Sequence, residues 1–358
     1  MKRLRVGVVG CGDVAFRCYL GPMAQFGDKV ELVATCDTVA TRAEEAKVKF
    51  GARRAYTKLE EMLADPDVEA VVNLTPVQFH TSIGLKALQA GKHLYQEKPL
   101  AMTVEEADTL VAEAEKSGLL LVCAPATNLM PSRQYGRKLL RDGVVGKVVL
   151  ATAHGSATGP ARWKEYTSDP SWFYQEGVGP LVDTGVYAID YLVDVLGPAK
   201  RVVGMSDTAF PELVSEAEGA KGKTVKVRVP DTNALILDFG SATLAMLDSA
   251  FNVSAQKGPA LEFCGDRGTL VVHHWWEDPA LELCPAGGYE WQPVRLPAEF
   301  ASLPSFAWAL GVLHLAECFL EAKKPLLSGA RARHVLEIMW AGPESSKRGR
   351  PIELRTAL

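Results

Sequence analysis

LRVGVVGCGDVA, residues 4–15, decides the fold of the first part of the chain, because an apolar run is followed at once by G-x-G-x-x-A. The first glycine, Gly10, permits a tight turn, and Gly12 lets the backbone approach a pyrophosphate. The small Ala15 lets a helix pack closely on the strand. Free N–H groups at the start of that helix, near Asp13, favour a bound pyrophosphate. The stretch therefore predicts a strand, a turn and a helix that together bind a dinucleotide.

Short apolar runs alternate with helical patterns through about the first 125 residues. This alternation predicts βαβ units and a doubly wound parallel sheet. The predicted strands are Leu4–Gly10, Val30–Asp37, Val68–Thr75, His93–Gln96 and Leu119–Ala124, and the later predicted helices are Thr41–Phe50, Phe79–Gln89 and Thr103–Lys116. Capping boxes of the Thr-x-x-Glu type are predicted to open two of these helices, at Thr41 and at Thr103.

The pattern changes after Pro125, where strand-like runs lie close together and glycine-containing turns separate them. Such spacing favours an open, mostly antiparallel sheet. Its predicted strands are Val148–Ala153, Arg201–Ser206, Ala234–Asp238, Ala242–Phe251, Leu261–Cys264 and Thr269–His273, and the predicted helices are Pro180–Leu196, Phe306–Ala322 and Arg331–Trp340. The predicted fold class is α/β. A doubly wound Rossmann domain spans 1–125, and an α+β domain for substrate binding and oligomerisation spans 126–358.

Composition argues against several classes of protein. The chain has 358 residues, enough for two domains, and a net charge of −4 with no basic stripe, which argues against nucleic-acid binding. Its seven cysteines show no C-x-x-C spacing, which argues against a disulfide framework and a zinc site. The first apolar run is too short for a signal peptide, and no run reaches the roughly 20 residues of a membrane span. We expect a cytoplasmic protein without metal, membrane or nucleic-acid partners.

An acidic residue, Asp37, ends the second predicted strand. Its carboxylate would accept hydrogen bonds from the adenosine ribose hydroxyls and would repel a 2′-phosphate, so the sequence favours NAD over NADP. Arg42 lies close by and keeps NADP open. The alternative is a glycine turn beside a solvated aspartate.

Further motifs follow in order along the chain. They are Thr75-Pro76-x-x-x-His80, Glu97-Lys98-Pro99, Pro131–Gly143, Gly179-Pro180-Leu181-Val182-Asp183-x-Gly185-x-Tyr187-x-x-Asp190 and Glu344-Ser345-x-x-x-x-Gly349-Arg350. Together with the glycine turn, this ordered set resembles the Gfo/Idh/MocA family of oxidoreductases over nearly the whole chain. The resemblance implies hydride transfer between a nicotinamide cofactor and a hydroxyl-bearing carbon, on a sugar or polyol.

By that resemblance, Lys98 would lie in the active site between nicotinamide and substrate. An ammonium beside a reacting hydroxyl stabilises the developing alkoxide and helps to relay its proton. Glu97 would pair with Lys98 or contact the cofactor ribose. Thr75, Pro76 and His80 would shape the loop under the cofactor, and for His80 a helix-capping or core role stays open.

The predicted helix over Pro180–Leu196 carries an apolar stripe and, about opposite, a stripe predicted to face a cleft: Asp183, Tyr187, Asp190, Tyr191 and Asp194. Asp183 and Tyr187 are four residues apart and so project as neighbours. The family usually has histidine where this chain has Tyr187, although some members carry tyrosine. We predict Tyr187 as the general acid/base, Lys98 as its electrostatic partner and Asp183 as the residue that binds substrate hydroxyls. Helix capping by Asp183 and packing of Tyr187 are the alternatives.

Two further segments bear on the substrate. Thr127-Asn128-Leu129-Met130 precedes Pro131 where the family often has basic residues, and their loss argues against an anionic substrate. Asn128 would still hydrogen-bond a sugar. Arg162, Trp163 and Trp172 lie in a loop-like segment and are predicted to hold a sugar ring, unless the tryptophans simply anchor that loop.

The run His273-His274-Trp275-Trp276 invites a metal interpretation. Adjacent residues on a strand point to opposite faces and therefore chelate poorly. A strand end or a subunit interface is the preferred interpretation.

The predicted function is that of an NAD(P)-dependent dehydrogenase or reductase acting on CH–OH groups of a sugar, polyol or related cyclic alcohol. The predicted cofactor contacts are Gly10, Gly12, Asp13, Val14, Ala15, Asp37, Arg42, Thr75, Pro76, His80, Glu97 and Lys98, and the predicted substrate contacts are Asn128, Arg162, Trp163, Trp172, Asp183 and Tyr187. An NAD-dependent glycoside hydrolase of the same fold and a non-catalytic dinucleotide-binding sensor are the alternatives. Retention of Lys98, Asp183 and Tyr187 counts against the sensor. Analogy with the fold predicts a homodimer or homotetramer, with the open sheet face as the interface.

Overall fold

The computed structural model describes residues 2–274, 277, 279–304 and 308–358. The chain forms two compact units, Met1–Met130 with Pro304–Leu336, and Pro131–Leu303 with Glu337–Leu358. The predicted domains, 1–125 and 126–358, differ from these units because residues 304–336 return to the first unit. That the second domain binds substrate and supports oligomerisation stays a prediction.

A six-stranded sheet forms the centre of the first unit, in the order β3-β2-β1-β4-β5-β6. All of its neighbours pair in parallel. Its strands are β1 (Leu4–Val9), β2 (Val30–Cys36), β3 (Arg54–Tyr56), β4 (Ala70–Asn73), β5 (His93–Gln96) and β6 (Leu121–Cys123). The order reverses between β1 and β4, so the loops after these strands open a crevice at the carboxyl edge. The doubly wound sheet is confirmed; β3 is too short and polar to give an apolar run.

A nine-stranded sheet forms the second unit, in the order β16-β15-β14-β13-β7-β12-β11-β8-β17, beside a small β9–β10 pair. Its strands are β7 (Val148–His154), β8 (Arg201–Asp207), β9 (Glu212–Val214), β10 (Thr224–Lys226), β11 (Thr232–Gly240), β12 (Thr243–Ala250), β13 (Leu261–Gly265), β14 (Gly268–Val272), β15 (Leu281–Pro285), β16 (Gln292–Pro293) and β17 (Ile352–Glu353). β7 and β12 pair in parallel, and the other neighbours are antiparallel. The predicted open, mostly antiparallel sheet is confirmed.

Residues of β8, β11 and β12 alternate between the two faces of this sheet, as half-buried strands do. Leu235 and Leu247 are buried on one face. The opposite face exposes a set of large apolar side chains, here called the outer face: Val203, Met205, Ile236, Leu244 and Met246.

The α-helices are α1 (Gly21–Met23), α2 (Ala40–Phe50), α3 (Leu59–Leu63), α4 (His80–Gln89), α5 (Val104–Ser117), α6 (Pro131–Arg141), α7 (Val186–Leu196), α8 (Ala298–Ala301), α9 (Leu310–Glu321) and α10 (Gly329–Arg348). Wide π-type turns, Ala15–Leu20 and Leu181–Gly185, precede α1 and α7, and short 3₁₀ turns span Ala24–Phe26, Val77–Phe79, Thr127–Leu129, Pro160–Arg162, Pro170–Tyr174 and Glu218–Ala220. Among the described residues, no helix has both the length and the apolar character needed to cross a bilayer.

One of the two predicted capping boxes is correct. The Thr103 hydroxyl accepts the Glu106 N–H, and the Glu106 carboxylate accepts the Thr103 N–H, as predicted. The box predicted at Thr41 is wrong, because α2 already begins at Ala40 and no side chain caps it. The carboxylate of Asp37 accepts the Val39 N–H at 2.8 Å, and this local turn starts the helix earlier than the threonine would.

The two last helices also depart from their predictions. The predicted start of one at Phe306 lies outside the described residues; α9 packs on β1, β2, β5 and β6. α10 continues beyond its predicted end at Trp340, through Pro343. A proline inside a helix removes one backbone hydrogen bond. Two serine hydroxyls beyond it accept N–H groups of β8, Ser345 from Gly204 at 3.1 Å and Ser346 from Ser206 at 3.0 Å, and hold the extended helix in place.

Candidate active site

The turn after β1 packs directly on the backbone that follows β4. Gly10 has a φ of +87°, and a Cβ built on it would lie 2.9 Å from both the carbonyl carbon of Leu74 and the nitrogen of Thr75. Glycine alone fits there. A Cβ on Gly12 would meet no described atom within 4 Å, so its backbone is open to a ligand. With Ala15 buried at 1% exposure, the turn and the helix behind it fit a dinucleotide pyrophosphate.

Two main-chain N–H groups hold Asp37 beside that turn. Its Oδ2 accepts from Cys11 N at 2.9 Å, and its Oδ1 accepts from Val39 N at 2.8 Å. Each carboxylate oxygen retains a second lone pair, which suits the hydroxyls of a ribose. Arg42 is exposed on the first turn of α2.

The first residues of the helix after the turn are solvent-accessible. The Asp13 carboxylate pairs with Arg17 at 2.9 Å, and Val14 is 37% exposed. Both lie at the end of the helix where a pyrophosphate would bind. Their predicted contacts with the cofactor stay predictions.

Glu97 follows β5, is buried, and uses both carboxylate oxygens to accept hydrogen bonds. Oε1 accepts from the Tyr19 hydroxyl at 2.5 Å, and Oε2 accepts from the main-chain nitrogen of Lys98 at 2.7 Å. The Tyr19 hydroxyl also lies 3.0 Å from that of Tyr95. Burial, and then the charge of Glu97, raise the pKa of Tyr19 well above its usual range, so the phenol stays a donor. Glu97 thus fixes the backbone that carries the partly exposed Lys98.

The sequence did not point to Tyr19 or Tyr95 as parts of the site. Both occupy positions in apolar stretches that indicate the core. The available signal was a polar one: a tyrosine buried in a strand usually needs a partner for its hydroxyl. Tyr95 lies two residues before Glu97, whose carboxylate is the nearest charged hydrogen-bond acceptor in the sequence.

His80 joins the loop after β4 to the loop after β5. Its Nδ1 lies 2.7 Å from the carbonyl oxygen of Pro99, and its Nε2 lies 2.9 Å from that of Thr75. The imidazole is 1% exposed, and burial lowers its pKa. These contacts favour the core role over helix capping and tie the Thr75–Pro76 loop to the residue after Lys98.

The segment Pro180–Leu196 is helical throughout, as predicted, but its first part is the wide turn Leu181–Gly185. The Thr184 hydroxyl donates to the carbonyl of Pro180 at 3.0 Å and also to that of Gly155, just after β7. These bonds fix the helix start to the end of a strand. Wide turns of this kind are frequent at functional sites. Asp183 and Tyr187 are both partly exposed here.

The second half of the predicted polar stripe is structural. Tyr191 is fully buried, and its hydroxyl donates to the carbonyl of Arg133 at 2.9 Å. Asp194 is 8% exposed and pairs with Arg137 at 3.1 Å and with Arg141 at 3.7 Å. The prediction that the whole stripe faces a cleft is therefore wrong for these two residues, because α6 packs over them.

Replacement of Gly155 by alanine is expected to destabilise the second unit. A Cβ there would lie 2.6 Å from the Cα of Gly185, and neither backbone segment can move without breaking the bonds of Thr184. We expect the free energy of unfolding to fall by about 2 kcal/mol, measured by denaturant unfolding. Gly27→Ala is the control, since Gly27 is exposed with a φ of −62° and its Cβ would lie 3.5 Å from the nearest atom. Equal stability of the two variants would contradict the prediction.

The loop that holds the predicted sugar-binding aromatics has its own small core. Phe173 and Tyr174 are buried, and Tyr174 accepts a hydrogen bond from the Ala161 nitrogen at 3.1 Å. Burial raises the pKa of Tyr174 to about 12. Trp163 and Trp172 remain 42% and 47% exposed. The Trp163 ring packs on Tyr166 and the Trp172 ring on Phe173, with ring centroids 5.6 Å and 3.8 Å apart. Arg162, directly before Trp163, is partly buried. The contact of these three residues with a sugar stays a prediction, as does the alternative that the tryptophans anchor the loop.

Two other predicted features are embedded in the fold. Asn128 is completely buried in the 3₁₀ turn Thr127–Leu129. His273 pairs with Glu277 at 3.3 Å and Glu282 at 2.7 Å, whereas Trp275 and Trp276 lie outside the described residues. In the described part of the chain, no cluster of three or more His, Cys, Asp or Glu side chains is arranged to hold a metal ion.

Comparison with known proteins agrees with this architecture. Residues 4–124 match the model of an oxidoreductase family with an NAD-binding Rossmann fold, and residues 134–271 match the Gfo/Idh/MocA C-terminal domain. D-glucoside 3-dehydrogenase of Escherichia coli K12 is 30% identical over 78% of this chain and 80% of that protein. Trans-1,2-dihydrobenzene-1,2-diol dehydrogenase of Bos taurus is 31% identical over 93% of this chain and 95% of that protein.

A solved structure supports the fold over its full length. Levoglucosan dehydrogenase, solved in complex with NADH and L-sorbose, superposes with a TM-score of 0.85 at 20% identity, covering 99% of this chain and all of that one. The family matches of both parts of the chain agree with the residues found in the site, which are the glycine turn, Asp37 and the Glu97–Lys98 segment. The chain belongs to the Gfo/Idh/MocA family of NAD-binding oxidoreductases.

Proposed function

We propose that this oxidoreductase reversibly oxidises a hydroxyl-bearing carbon of a sugar or polyol, with NAD as the hydride acceptor. The observation that carries the proposal is the position of Lys98. Its backbone is fixed by Glu97 and by the His80-linked loop, at the carboxyl edge of the sheet that also carries the glycine turn. A partly exposed lysine on a fixed backbone at that edge suits a reacting hydroxyl.

When bound, the nicotinamide supplies the carbon that accepts the hydride. We assign Lys98 the role of stabilising the developing alkoxide, because its positive charge opposes the negative charge that forms as the proton leaves. Tyr187 would take that proton as general base, and Asp183 would accept hydrogen bonds from neighbouring hydroxyls. Both residues are partly exposed, Asp183 in the Leu181–Gly185 turn and Tyr187 on the first turn of α7, as these roles require. The exposed faces of Trp163 and Trp172 would contact the sugar ring.

Asp37 supports the preference for NAD. Its carboxylate is fixed at the glycine turn by two N–H groups, so it cannot move away from an incoming 2′-phosphate. The negative charges of the carboxylate and the phosphate would repel each other. Arg42 is the residue that would favour NADP if its exposed side chain reached the same phosphate.

The experiment that tests the proposed function is absorbance at the NADH band. Purified protein is mixed with NAD or NADP and with a panel of aldoses, inositols and dihydrodiols. Turnover of one substrate with NAD supports the proposal, and a stronger signal with NADP would contradict the cofactor preference. Three observations together would replace the proposal by the glycoside hydrolase: no NADH signal, cofactor that stays bound through purification, and cleavage of a glycoside by the protein.

We also propose that the protein is a homodimer or homotetramer in the cytoplasm, paired through the outer face. Ile236 is 46% exposed at the centre of that face and lies opposite Val203 and Met246 on its neighbouring strands. We expect Ile236→Lys to yield monomers in light scattering, because a charge cannot be buried there unpaired. Val214→Lys, at a 61% exposed site on the small β9–β10 sheet, is the control and should leave the mass unchanged. A monomeric native protein at micromolar concentration would overturn the proposal.

A further inference from the structure

Arg133, near the start of α6, is a buried cation with donors that no described residue accepts. Arg133 is 3% exposed, and its Nε and Nη1 have no hydrogen-bond partner among the described residues. Those two nitrogens carry three N–H groups, and a guanidinium does not lose its charge in proteins. Burial of an ion without a compensating partner is costly. The position therefore calls for an anion.

The surroundings of Arg133 compensate its charge only in part. The guanidinium carbon lies 4.7 Å from the centre of the Tyr191 ring, which is a cation–π contact. Burial lowers the pKa of Arg133, and the charge of Asp190 opposes that shift without a hydrogen bond to Nε or Nη1. His274 is half-buried, and its pKa is lowered by burial and also by the charge of Arg133. Neither the Tyr191 ring nor the Asp190 carboxylate accepts a hydrogen bond from Nε or Nη1.

The other arginines of α6 show what a structural arginine looks like in this helix. Arg137 and Arg141 both pair with the buried carboxylate of Asp194. Arg133 lies one turn earlier, where the neighbouring helix presents a tyrosine ring. The difference indicates that Arg133 is retained for a partner that the described residues do not supply.

The Arg133 side chain lies beside α7, the helix that also carries Tyr187, the proposed general base. Tyr191, on which Arg133 stacks, follows Tyr187 by four residues of α7, a rise of about 6 Å. A sugar of five or six carbons spans such a distance. We propose that Arg133 is an anion subsite of the substrate pocket, which binds a carboxylate or phosphate group carried by the sugar.

This inference rests on the proposed function and narrows it: the substrate is an acidic sugar or a sugar phosphate rather than a neutral sugar. It reverses the expectation drawn from the missing basic residues before Pro131. The sequence lacks the family's arginines at 127–130 and carries Arg133 two residues after that proline.

Anion binding is tested first, without turnover. Thermal unfolding is followed with saturating NAD, so that the glycine turn is already covered, while inorganic phosphate or acetate is titrated against sodium chloride of equal ionic strength. For the native protein we expect a saturable rise of roughly 3 °C at ten times the dissociation constant. Arg133→Met should remove the rise, whereas Lys138→Met, which removes an exposed charge from the same helix, should retain it.

Stability without anion separates binding from packing. Arg133→Met should unfold at the same temperature as the native protein or higher, because an unpaired buried charge is removed. Should that variant fail to fold, Arg133→Lys keeps the charge but not the planar donors, and it should bind the anion about tenfold more weakly. A phosphate or acetate response equal in native and Arg133 variants would overturn the inference.

Turnover then identifies the anion and separates the two proposals. Aldonates and uronates test the carboxylate, and sugar phosphates test the phosphate, each beside its neutral sugar. We expect the charged substrate to be preferred and Arg133→Met to raise its KM about 100-fold, with kcat/KM for the neutral sugar unchanged. Turnover of neutral sugars alone would overturn the anion subsite and leave the proposed function intact. An Arg133-dependent anion response without any hydride transfer would overturn the proposed function and leave the anion site intact.

Discussion

Lys98→Met is expected to lower kcat about 1,000-fold while the dissociation constant for NAD changes by less than about threefold. The loss follows from removing the charge that opposes the developing alkoxide. Binding is spared because the Lys98 backbone is held through its own N–H, which methionine keeps, by the carboxylate of Glu97. Steady-state turnover and calorimetric titration with NAD measure the two quantities.

Lys86→Met is the matched control for this variant. Lys86 lies on α4 and forms a surface pair with Glu60, so its loss should leave both kcat and NAD binding unchanged. Native turnover by Lys98→Met would remove the proposed mechanism.

Tyr187→Phe is expected to lower kcat by 10²- to 10⁴-fold, the usual range for loss of a general acid/base, and to remove the limb of the pH–rate profile that reports the phenol. The substitution keeps the ring and the helix, so NAD binding should be unaffected. Rates measured across pH with the native protein and the variant give both observations.

Tyr191→Phe provides the comparison, because Tyr191 lies one turn further along α7. Its hydroxyl bonds to main-chain groups of α6, donating to the carbonyl of Arg133, so its loss should cost about 1 kcal/mol of stability and leave the pH profile unchanged. If Tyr187→Phe retains the native profile, another group takes the proton.

Local patterns were enough to predict the sheet of the first unit, the glycine turn and the site helix. In each case the deciding residues are neighbours in sequence: Gly10 and Gly12 follow an apolar strand, and Asp183 and Tyr187 share a helical stripe. Hydrophobic periodicity and the residue preferences of turns depend on residues that are close in sequence, so both can be recognised in a single sequence.

Features made by distant residues were not predictable in this way. Tyr19 and Glu97 are 78 residues apart and meet only in the folded sheet. Arg133 and Tyr191 are 58 positions apart, and nothing local distinguishes Arg133 from the paired arginines that follow it. The early start of α2 is a smaller error of prediction: the turn formed by Asp37 starts the helix before the capping box predicted at Thr41.

The return of the chain to its first unit has a consequence for biosynthesis. The sheet of β1, β2, β5 and β6 packs against α9, which begins at Leu310 of 358 residues. A ribosome delivers that helix after residues 131–303, so the cofactor-binding half stays incomplete until that whole internal segment has emerged. In topological terms residues 131–303 are an insertion within the Rossmann unit. A chimera that exchanges substrate specificity with a relative should therefore transplant that internal segment, and a clone truncated at residue 130 would expose apolar surface and aggregate.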